Sequence, residues 1–351
     1  MKIVFCGGGT AGHVTPNFAL MEKLQGNEMY YVGTSGIEEQ LTKPYVDNGT
    51  LCRYCTIKAG KLRRSFALSN LLLPFTLAKS IKQSKQILKE ISPNVVFSKG
   101  GYVGLPVVIA AHKLKIPTII HESDMSLGLA NKISAMFATE LLTTFNCSKK
   151  GKTVGAIVRQ SIFVGNRQKG LATMGFGGTK PILLVMGGSL GAGVLNHAIT
   201  NTPQIANLFD IFVITGKGKQ IDCDFVHQAE YVDNIADVFC ATDICLTRAG
   251  GNSLVELTLA NVPFVAVPLT KGSRGEQVNN AKWFANNGCG IMLYENNLNK
   301  IAETLISVYH NRHAIVANQK QCAYLNGTDR VVKEILKYNQ KVTINAIHPK
   351  S

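Results

Sequence analysis

The decisive stretch of this sequence is Lys2-Ile3-Val4-Phe5-Cys6-Gly7-Gly8-Gly9-Thr10-Ala11-Gly12-His13-Val14-Thr15-Pro16, in which an apolar run leads directly into glycines. In α/β proteins, this order of strand, glycine-rich loop and helix presents backbone N–H groups to a phosphate. A second cluster, Gly187-Gly188-Ser189-Leu190-Gly191, follows the apolar run Ile182–Met186 in the same order. The duplication predicts two α/β halves, each of which opens on a loop that favours anions.

Strand-like and helix-like segments alternate through both halves, which predicts βαβ units around parallel sheets. The strands are expected at Lys2–Phe5, Met29–Val32, Val95–Ser98, Thr118–His121, Leu141–Thr144, Ile182–Met186, Ile211–Thr215, Ile244–Thr247 and Phe264–Val267. The helices are expected near Pro16–Gln25, Leu68–Ile91, Leu105–Lys115, Ala192–Thr200, Ser253–Asn261, Gln277–Asn286 and Ile301–Tyr309. Weak periodicity predicts a linker between Thr153 and Lys180, and a last helix at Gly327–Tyr338 is expected to pack back on the first domain.

The composition indicates a two-domain globular protein, because 351 residues exceed the usual single core and 46% of them are hydrophobic. An excess of 37 basic over 22 acidic residues gives a charge of +15 and favours an anionic partner: nucleic acid, an acidic membrane surface or a phosphorylated substrate. Nine scattered cysteines suit reduced thiols of a cytosolic protein, and the Cys52/Cys55 pair is interpreted as structural. Neither a signal peptide nor a membrane-spanning run is expected.

The first glycine cluster satisfies the dinucleotide fingerprint at Gly7, Gly9 and Gly12. The acidic residue expected at the end of the second strand is missing, because that strand runs into Gly33-Thr34-Ser35. A nicotinamide cofactor is therefore disfavoured, whereas a loop that faces a phosphate remains the interpretation. His13 at the helix start is either catalytic or merely a residue of the first turn.

Two other motifs have less specific interpretations. The second cluster fits the Gly-x-Ser-x-Gly elbow of hydrolases around Ser189, but its candidate partners Asp243, His310 and His313 do not all follow strands. Asp222 and Asp224 could pair at a metal ion, although a solvated turn is favoured.

Loops that carry polar side chains follow several predicted strands, where α/β proteins place their sites. They are His121-Glu122-Ser123-Asp124, Arg248–Glu256 and Pro268–Gln277. Asn252 or Ser253 can cap a helix whose first turn would contain Glu256. A capping box of this kind leaves Arg248 and the two glycines after it unexplained.

These loops together resemble the MurG family, bacterial transferases that add N-acetylglucosamine to the undecaprenyl-linked muramyl-peptide precursor of peptidoglycan. The matching pieces follow the family's order at Gly8–Pro16, Ser98–Val103, His121-Glu122, Asn131-Lys132, Gly187–Ala192, Arg248–Glu256 and Gln277–Ala281. The resemblance implies an α/β GT-B fold, with two Rossmann-like domains whose parallel sheets face an inter-domain cleft. It implies an N-terminal acceptor domain at 1–157, a UDP-sugar domain at 158–325 and a returning helix at about 326–340.

The resemblance also implies roles for individual residues. His13 and Glu122 would be catalytic, and loops with Gly100, Gly101, Tyr102 and Asn131 would meet the acceptor and its diphosphate. The donor-binding residues would be Thr10, Ala11, Gly12, Asp124, Arg159, Ser189, Val232, Gly251, Asn252, Ser253, Leu254, Val255, Glu256 and Gln277. Three residues depart from the family: Ala11 replaces a common glycine, Asp124 a common asparagine and Lys99 a common apolar residue.

The chemistry needs a base for the acceptor hydroxyl and stabilisation of the departing UDP. His13, expected to have a near-neutral pKa, suits the base. Backbone amides, a helix N-terminus and the basic field can serve the diphosphate, so no metal and no cofactor are expected. Direct displacement by one hydroxyl would invert the anomeric carbon.

A basic stretch beside an apolar one predicts contact with an anionic membrane surface. Its residues include Lys61, Arg63, Arg64, Leu72 and Phe75, although the leucines could instead face the core. The resemblance implies a peripheral protein at the cytoplasmic face of the inner membrane. Its expected partners are UDP-N-acetylglucosamine, the lipid-linked muramyl-pentapeptide and other proteins of cell-wall synthesis.

Other functions remain as alternatives. A diacylglycerol glycosyltransferase or a UDP-sugar epimerase would share the GT-B architecture. A non-catalytic nucleic-acid binder is disfavoured, since the basic residues are dispersed and only 7% of residues are aromatic.

Overall fold

A computed structural model describes residues 1–60, 73–187, 193–270 and 275–345 of the chain, with the backbone alone for Leu73 and residues 340–345. These residues form two compact units. The first consists of Met1–Arg159 together with the segment that begins at Gly327, and the second consists of Gln160–Asn326. Ser189, Lys61, Arg63, Arg64 and Leu72, which the sequence singled out, lie outside the described residues.

The first unit is built on a seven-stranded parallel sheet. Its strands are β1 (Lys2–Cys6), β2 (Glu28–Gly33), β3 (Arg53–Thr56), β4 (Val95–Ser98), β5 (Thr118–Glu122), β6 (Glu140–Thr143) and β7 (Lys152–Thr153). They lie in the order β3-β2-β1-β4-β5-β6-β7, so the chain winds outward from β1 in both directions. In β1, Ile3 and Phe5 join the core on one face, while Val4 and Cys6 join the core on the other. An apolar run buried on both faces is typical of a doubly wound sheet.

Helices cover both faces of this sheet. They are α1 (Thr15–Lys23), α2 (Ile37–Asp47), α3 (Leu73–Ile91), α4 (Gly101–Lys113) and α5 (Leu129–Ser134). The last helix, α13 (Thr328–Asn345), also belongs to this unit, because its Val331, Ile335 and Tyr338 are buried in the core that contains Phe5. Gly327 N–H donates to Ala156 O at 2.7 Å where the helix begins.

The second unit repeats the design with six parallel strands. They are β8 (Ile182–Met186), β9 (Asp210–Ile214), β10 (Val226–Ala229), β11 (Ile244–Arg248), β12 (Phe264–Val267) and β13 (Ile291–Met292), in the order β10-β9-β8-β11-β12-β13. Its helices are α6 (Arg167–Met174), α7 (Gly193–Thr200), α8 (Ile235–Ala241), α9 (Gly251–Leu259), α10 (Glu276–Asn286), α11 (Ile301–His310) and α12 (Arg312–Gln321). All nine predicted strands are present, four further strands at sheet edges were missed, and the α/β fold class is confirmed.

The boundary between the two units, at Arg159 and Gln160, lies inside the segment predicted as a linker, but that segment also contains the helix α6 (Arg167–Met174), which the sequence did not predict. Asn166 caps the helix by accepting a hydrogen bond from Lys169 N–H at 3.0 Å. Gly170 then packs on α8 so closely that a Cβ there would lie 2.0 Å from the Asp237 carbonyl oxygen. The glycines that suggested a linker therefore include one that permits close packing of two helices.

Candidate active site

Two glycine-rich loops meet at the carboxyl edge of the first sheet. One loop follows β1 and leads to His13, and the other follows β4 and begins α4. Gly101 has φ +77°, and a Cβ there would lie 2.5 Å from the Gly8 carbonyl oxygen and 3.4 Å from His13 Nδ1. Only glycine combines this conformation with this approach, so the loop sequence fixes the contact between the two loops.

His13 ends a 3₁₀ turn, Ala11–His13, and its side chain is half-buried. Its Nδ1 lies 2.9 Å from Thr10 Oγ1. Burial is the main cause that lowers the pKa of His13 to about 4, and the nearby Lys99 charge adds to it. The carboxylates of Asp124 and Glu38 act in the opposite direction. The pKa of His13 therefore lies below the near-neutral value that was expected, because a half-buried imidazole beside a cation resists protonation.

Lys99 is buried directly after β4, with 2% of its surface exposed. Its Nζ lies 3.1 Å from His121 Nδ1 and donates a short hydrogen bond to Ser123 Oγ. His121 Nε2 lies 2.9 Å from the Gly155 carbonyl oxygen, which can only accept. The proton of His121 therefore lies on Nε2, and Nδ1 accepts from the Lys99 ammonium. Burial lowers the pKa of Lys99 to about 8, against the effect of the Glu122 and Asp124 charges.

Glu122, predicted to be catalytic, holds the loop that follows β5. Its Oε1 accepts from the N–H groups of Ser123 at 2.9 Å and Asp124 at 3.1 Å. Its Oε2 accepts from Gly128 N–H at 3.0 Å and from Asn131 Nδ2 at 2.9 Å. Both carboxylate oxygens are thus occupied by the chain itself, which is the arrangement of a group that orders a loop.

Glu38, in the first turn of α2, is a buried carboxylate that sequence reasoning missed. It accepts from Gly9 N–H at 3.1 Å, from Thr34 N–H at 3.0 Å and from Thr34 Oγ1. The amide of Gly9, expected to face a phosphate, therefore binds a carboxylate of the same chain. The signal was available: the acidic residue absent at the end of β2 occurs five residues later in the sequence.

In the second unit, α9 begins earlier than the sequence predicted. Its N-cap is Gly250, which makes no side-chain capping hydrogen bond, and no acidic residue lies in its first turn. The predicted capping by Asn252 or Ser253 is therefore wrong, and Glu256 lies beyond the first turn. Asn252, Ser253 and Glu256 are half-buried, whereas Leu254 is fully buried.

Three side chains join the strand-end loops of the second sheet. Arg248 Nη1 lies 2.6 Å from Glu295 Oε1 and donates to the Val267 carbonyl oxygen at 3.2 Å. Asn280 Nδ2 on α10 donates to the Ala249 carbonyl oxygen at 3.0 Å. The Gln277 side-chain oxygen accepts from Leu269 N–H at 3.0 Å, which fixes the orientation of that amide. The strand-end loops predicted to hold the donor are thus fastened to one another.

The other predicted residues are distributed over both units. In the first unit Thr10, Ala11, Gly12, Gly101, Tyr102, Asp124 and Arg159 are half-buried, and Gly100 and Asn131 are buried; in the second Val232 is half-buried, and Gly251 and Val255 are buried. Two of them carry buried polar atoms with no hydrogen-bond partner among the described residues, Nε of Arg159 and Oδ1 of Asn131. A buried polar atom left unpaired is unfavourable, so these two are candidates for contact with a ligand.

Asp222 and Asp224 are exposed and precede β10, while Cys223 between them packs against the core. Among the described residues, no group of three His, Cys, Asp or Glu side chains could hold a metal ion. Phe75, near the start of α3, is 76% exposed. Within the described ranges, no helix is both long and apolar enough to cross a membrane.

Comparison with known proteins identifies both units. Residues 3–143 match the glycosyltransferase family 28 N-terminal domain, and residues 182–335 match the glycosyltransferase family 28 C-terminal domain. The chain is 42% identical over 355 aligned residues to a UDP-N-acetylglucosamine–N-acetylmuramyl-(pentapeptide) pyrophosphoryl-undecaprenol N-acetylglucosamine transferase of Clostridium tetani. The alignment covers 96% of this chain and 98% of that relative. A relative of the same name from Legionella pneumophila is 39% identical, with 94% and 95% covered.

Solved structures share the fold. MurG of Acinetobacter baumannii superposes with a TM-score of 0.72 at 24% identity, covering 96% of this chain and 99% of that one. A UDP-GlcNAc 2-epimerase of Neisseria meningitidis, bound to UDP-GlcNAc, gives 0.65 at 12% identity, with 96% and 100% covered. The chain therefore belongs to glycosyltransferase family 28 and is a hexosyltransferase with the GT-B fold.

Proposed function

We propose that this chain transfers N-acetylglucosamine from UDP-N-acetylglucosamine to the C4 hydroxyl of undecaprenyl-diphosphate-linked N-acetylmuramyl-pentapeptide. The observation that carries the proposal is the identity of 42% to a transferase of that name over 96% of the chain. The reaction makes the lipid-linked disaccharide precursor of peptidoglycan.

His13 is the general base in this proposal. In this mechanism the proton of the neutral His13 lies on Nδ1 and is donated to Thr10 Oγ1, 2.9 Å away, so the Nε2 lone pair is left for the acceptor hydroxyl. As the oxygen attacks the anomeric carbon, the carbon–oxygen bond to the diphosphate breaks and its electron pair leaves with UDP. The hydroxyl proton moves to His13 Nε2, and the configuration of the anomeric carbon is inverted. Glu122 keeps the adjoining loop in place for this step.

The second unit holds the donor. Glu256 and Gln277 bind the ribose and the sugar, and the helix N-terminus at Gly251–Ser253 attracts the diphosphate. Support comes from α9, whose N-cap makes no side-chain capping bond, and from the fixed amide of Gln277. Glu256→Ala is expected to raise the donor KM about ten- to hundredfold, since a charged hydrogen bond to a hydroxyl is lost.

The lipid-linked acceptor requires contact with a bilayer, so we place the protein peripherally at the cytoplasmic face of the inner membrane. The exposed Phe75 beside a basic stretch supports an interfacial contact. Phe75→Glu is expected to weaken sedimentation with vesicles of anionic phospholipid, and high salt is expected to weaken it further. Leu208→Glu, at a 48% exposed leucine of the second unit, is the matched control and should leave sedimentation unchanged.

The direct test is incubation of the protein with radiolabelled UDP-N-acetylglucosamine and the lipid-linked acceptor. The proposal predicts label in the lipid fraction and one UDP released for each sugar transferred. The fold likeness to a UDP-GlcNAc 2-epimerase defines a second candidate, so a parallel reaction omits the acceptor. Turnover of the donor alone to its epimer, without label in lipid, would replace the transferase proposal with the epimerase.

A further inference from the structure

Lys99 is a buried cation to which the proposed reaction gives no role. Lysine is rarely buried without a charged partner, because removing an ammonium from water is costly. Among the described residues, the hydrogen-bond partners of its ammonium group are the neutral imidazole of His121 and the hydroxyl of Ser123. Burying this ammonium lowers the stability of the fold, so we expect Lys99 to have a role in the function of the protein.

The position of Lys99 connects the two loops that carry His13 and Asp124. Its N–H donates to the Cys6 carbonyl oxygen at 2.9 Å, at the end of β1. A Cβ on Gly7, the first residue of the His13 loop, would lie only 3.3 Å from the Lys99 Cβ. Its side chain reaches in the other direction to Ser123, next to Asp124 in sequence. One residue therefore spans from β1 to the loop after β5.

The charges around these groups are linked through Asp124. The groups that act on His13 are Lys99, which disfavours the imidazolium, and Asp124 and Glu38, which favour it. The groups that act on the Lys99 ammonium are Glu122 and Asp124, both of which favour it. Lys99 and Asp124 therefore act in opposite directions on the protonation of one imidazole.

We propose that Lys99 is a positioning residue of the transfer reaction: its ammonium holds the His121–Asp124 segment beside His13 and acts on that base as a nearby positive charge. Asp124 is its counter-charge. The cation keeps His13 unprotonated in acidic solution, and the anion offsets the same cation when the imidazolium forms. The inference rests on the proposed function for its kinetic consequences but not for its effect on His13 protonation.

The test compares Lys99→Met with Lys152→Met, which removes a 57% exposed cation of the same unit. Histidine resonances are followed by NMR from pH 7.5 to 4.5, with the His13 signal assigned from its loss in His13→Ala. We expect the pKa of His13 to rise in Lys99→Met alone. Transfer at pH 5.5 relative to pH 7.5 should then fall in that variant, and kcat should fall about tenfold or more at both values because the loops are misplaced. Unchanged His13 titration in folded Lys99→Met would overturn the proposal.

A double-mutant cycle tests the counter-charge. Lys99→Met combined with Asp124→Asn is expected to recover at least about threefold of the kcat lost in Lys99→Met, because neither charge is then left alone. Strictly additive losses would contradict the pairing.

If Lys99→Met does not fold, Ser123→Ala keeps the Lys99 charge and removes one of its hydrogen bonds. The kcat of this variant should fall about threefold with donor KM unchanged, and wild-type kcat would overturn the proposal. Absence of transfer by the wild-type chain would refute the proposed function, while the NMR result would still decide the effect of Lys99.

Discussion

Lys99 and Arg248 occupy equivalent places in the two sheets. In the first sheet β1 lies between β2 and β4, and Lys99 follows the carboxyl end of β4. In the second sheet β8 lies in the same way between β9 and β11, and Arg248 ends β11. Each is buried, with 2% and 7% of its surface exposed. Arg248 meets the carboxylate of Glu295 at 2.6 Å, whereas the hydrogen-bond partners of Lys99 are neutral. The same position thus carries two different solutions for a buried cation.

The two cations differ in whether they lose their proton at moderately alkaline pH and in the groups on which they act. A guanidinium keeps its proton in proteins, and a direct ion pair with a further bond to a carbonyl oxygen makes Arg248 a fastening between loops. The Lys99 ammonium has a pKa lowered to about 8 by burial, and it acts on a nearby imidazole. In the proposed mechanism the second unit binds the donor, and the first unit carries the groups that exchange protons.

The largest expected effect concerns the base in the first unit. His13→Ala should lower kcat roughly 10²–10⁴-fold, because the acceptor hydroxyl loses its proton acceptor. UDP binding by calorimetry should be retained. His227→Ala, which removes an imidazole of the second unit stacked on Phe176, is the control and should leave kcat nearly unchanged. Equal losses of kcat in the two variants would contradict the assignment of the general base to the first unit.

The second prediction concerns the fastening role of Arg248. Arg248→Met should lower the free energy of unfolding by about 2–4 kcal/mol, somewhat below a fully buried pair because Glu295 is 28% exposed. Urea unfolding followed by fluorescence of Trp283, the single tryptophan, reports on this unit. Arg167→Met breaks a looser pair with Asp243 at 3.9 Å and should lower the same quantity by less than about 1 kcal/mol. A smaller loss in Arg248→Met than in this control would contradict the assignment.

The third prediction separates the two cations by pH. Between pH 8 and 10.5 the unfolded chain keeps the Lys99 proton that the folded chain has lost, so this group makes the free energy of unfolding rise with pH. The rise is about 1–3 kcal/mol, and Lys99→Met should abolish it. Urea unfolding followed by circular dichroism at pH 8 and 10.5 measures the difference between wild type and variant. The difference between wild type and Arg248→Met should not change across that range, and a parallel change would show that the two cations are alike.

The smallest expected effect concerns Glu38 in the His13 loop. Glu38→Gln replaces one carboxylate oxygen by an amide nitrogen, so the side chain can no longer accept from both the Gly9 and the Thr34 N–H groups. We expect kcat to fall about three- to tenfold, on the order of 1 kcal/mol. The exposed neighbour Glu39→Gln provides the control. Equal kcat in the two variants would remove Glu38 from the parts that shape the site.

The fold was predictable wherever a buried element has a continuous apolar pattern in the local sequence. The run Ile182–Met186 is buried along its whole length, so its apolar pattern predicts an interior parallel strand. The missed β7 and β13 have two residues each, too few for any period to show. The helix α6 was missed because the glycine that lets it pack on α8 weakens its helical pattern.

The site was predictable only in part, for a similar reason. Strand-end loops and the histidine at a helix start are local patterns, so His13 could be chosen from sequence. The contacts of Glu38 with Gly9 and of Lys99 with His121 join residues 29 and 22 positions apart, and no spacing rule connects them. The lowered pKa of His13 follows mainly from its burial in the folded chain, and the Lys99 charge adds to it. The electrostatics of the site therefore needed the folded structure.

The most direct measurement of the central claim is the anomeric configuration of the product. A single hydroxyl activated by His13 displaces UDP in one step, so the α-linked donor must give a β-linked N-acetylglucosamine. NMR of the released disaccharide distinguishes the two configurations by the coupling of the anomeric proton. We expect β-linked product from the wild-type chain. An α-linked product would contradict it, since retention requires a second displacement that the proposed mechanism does not contain.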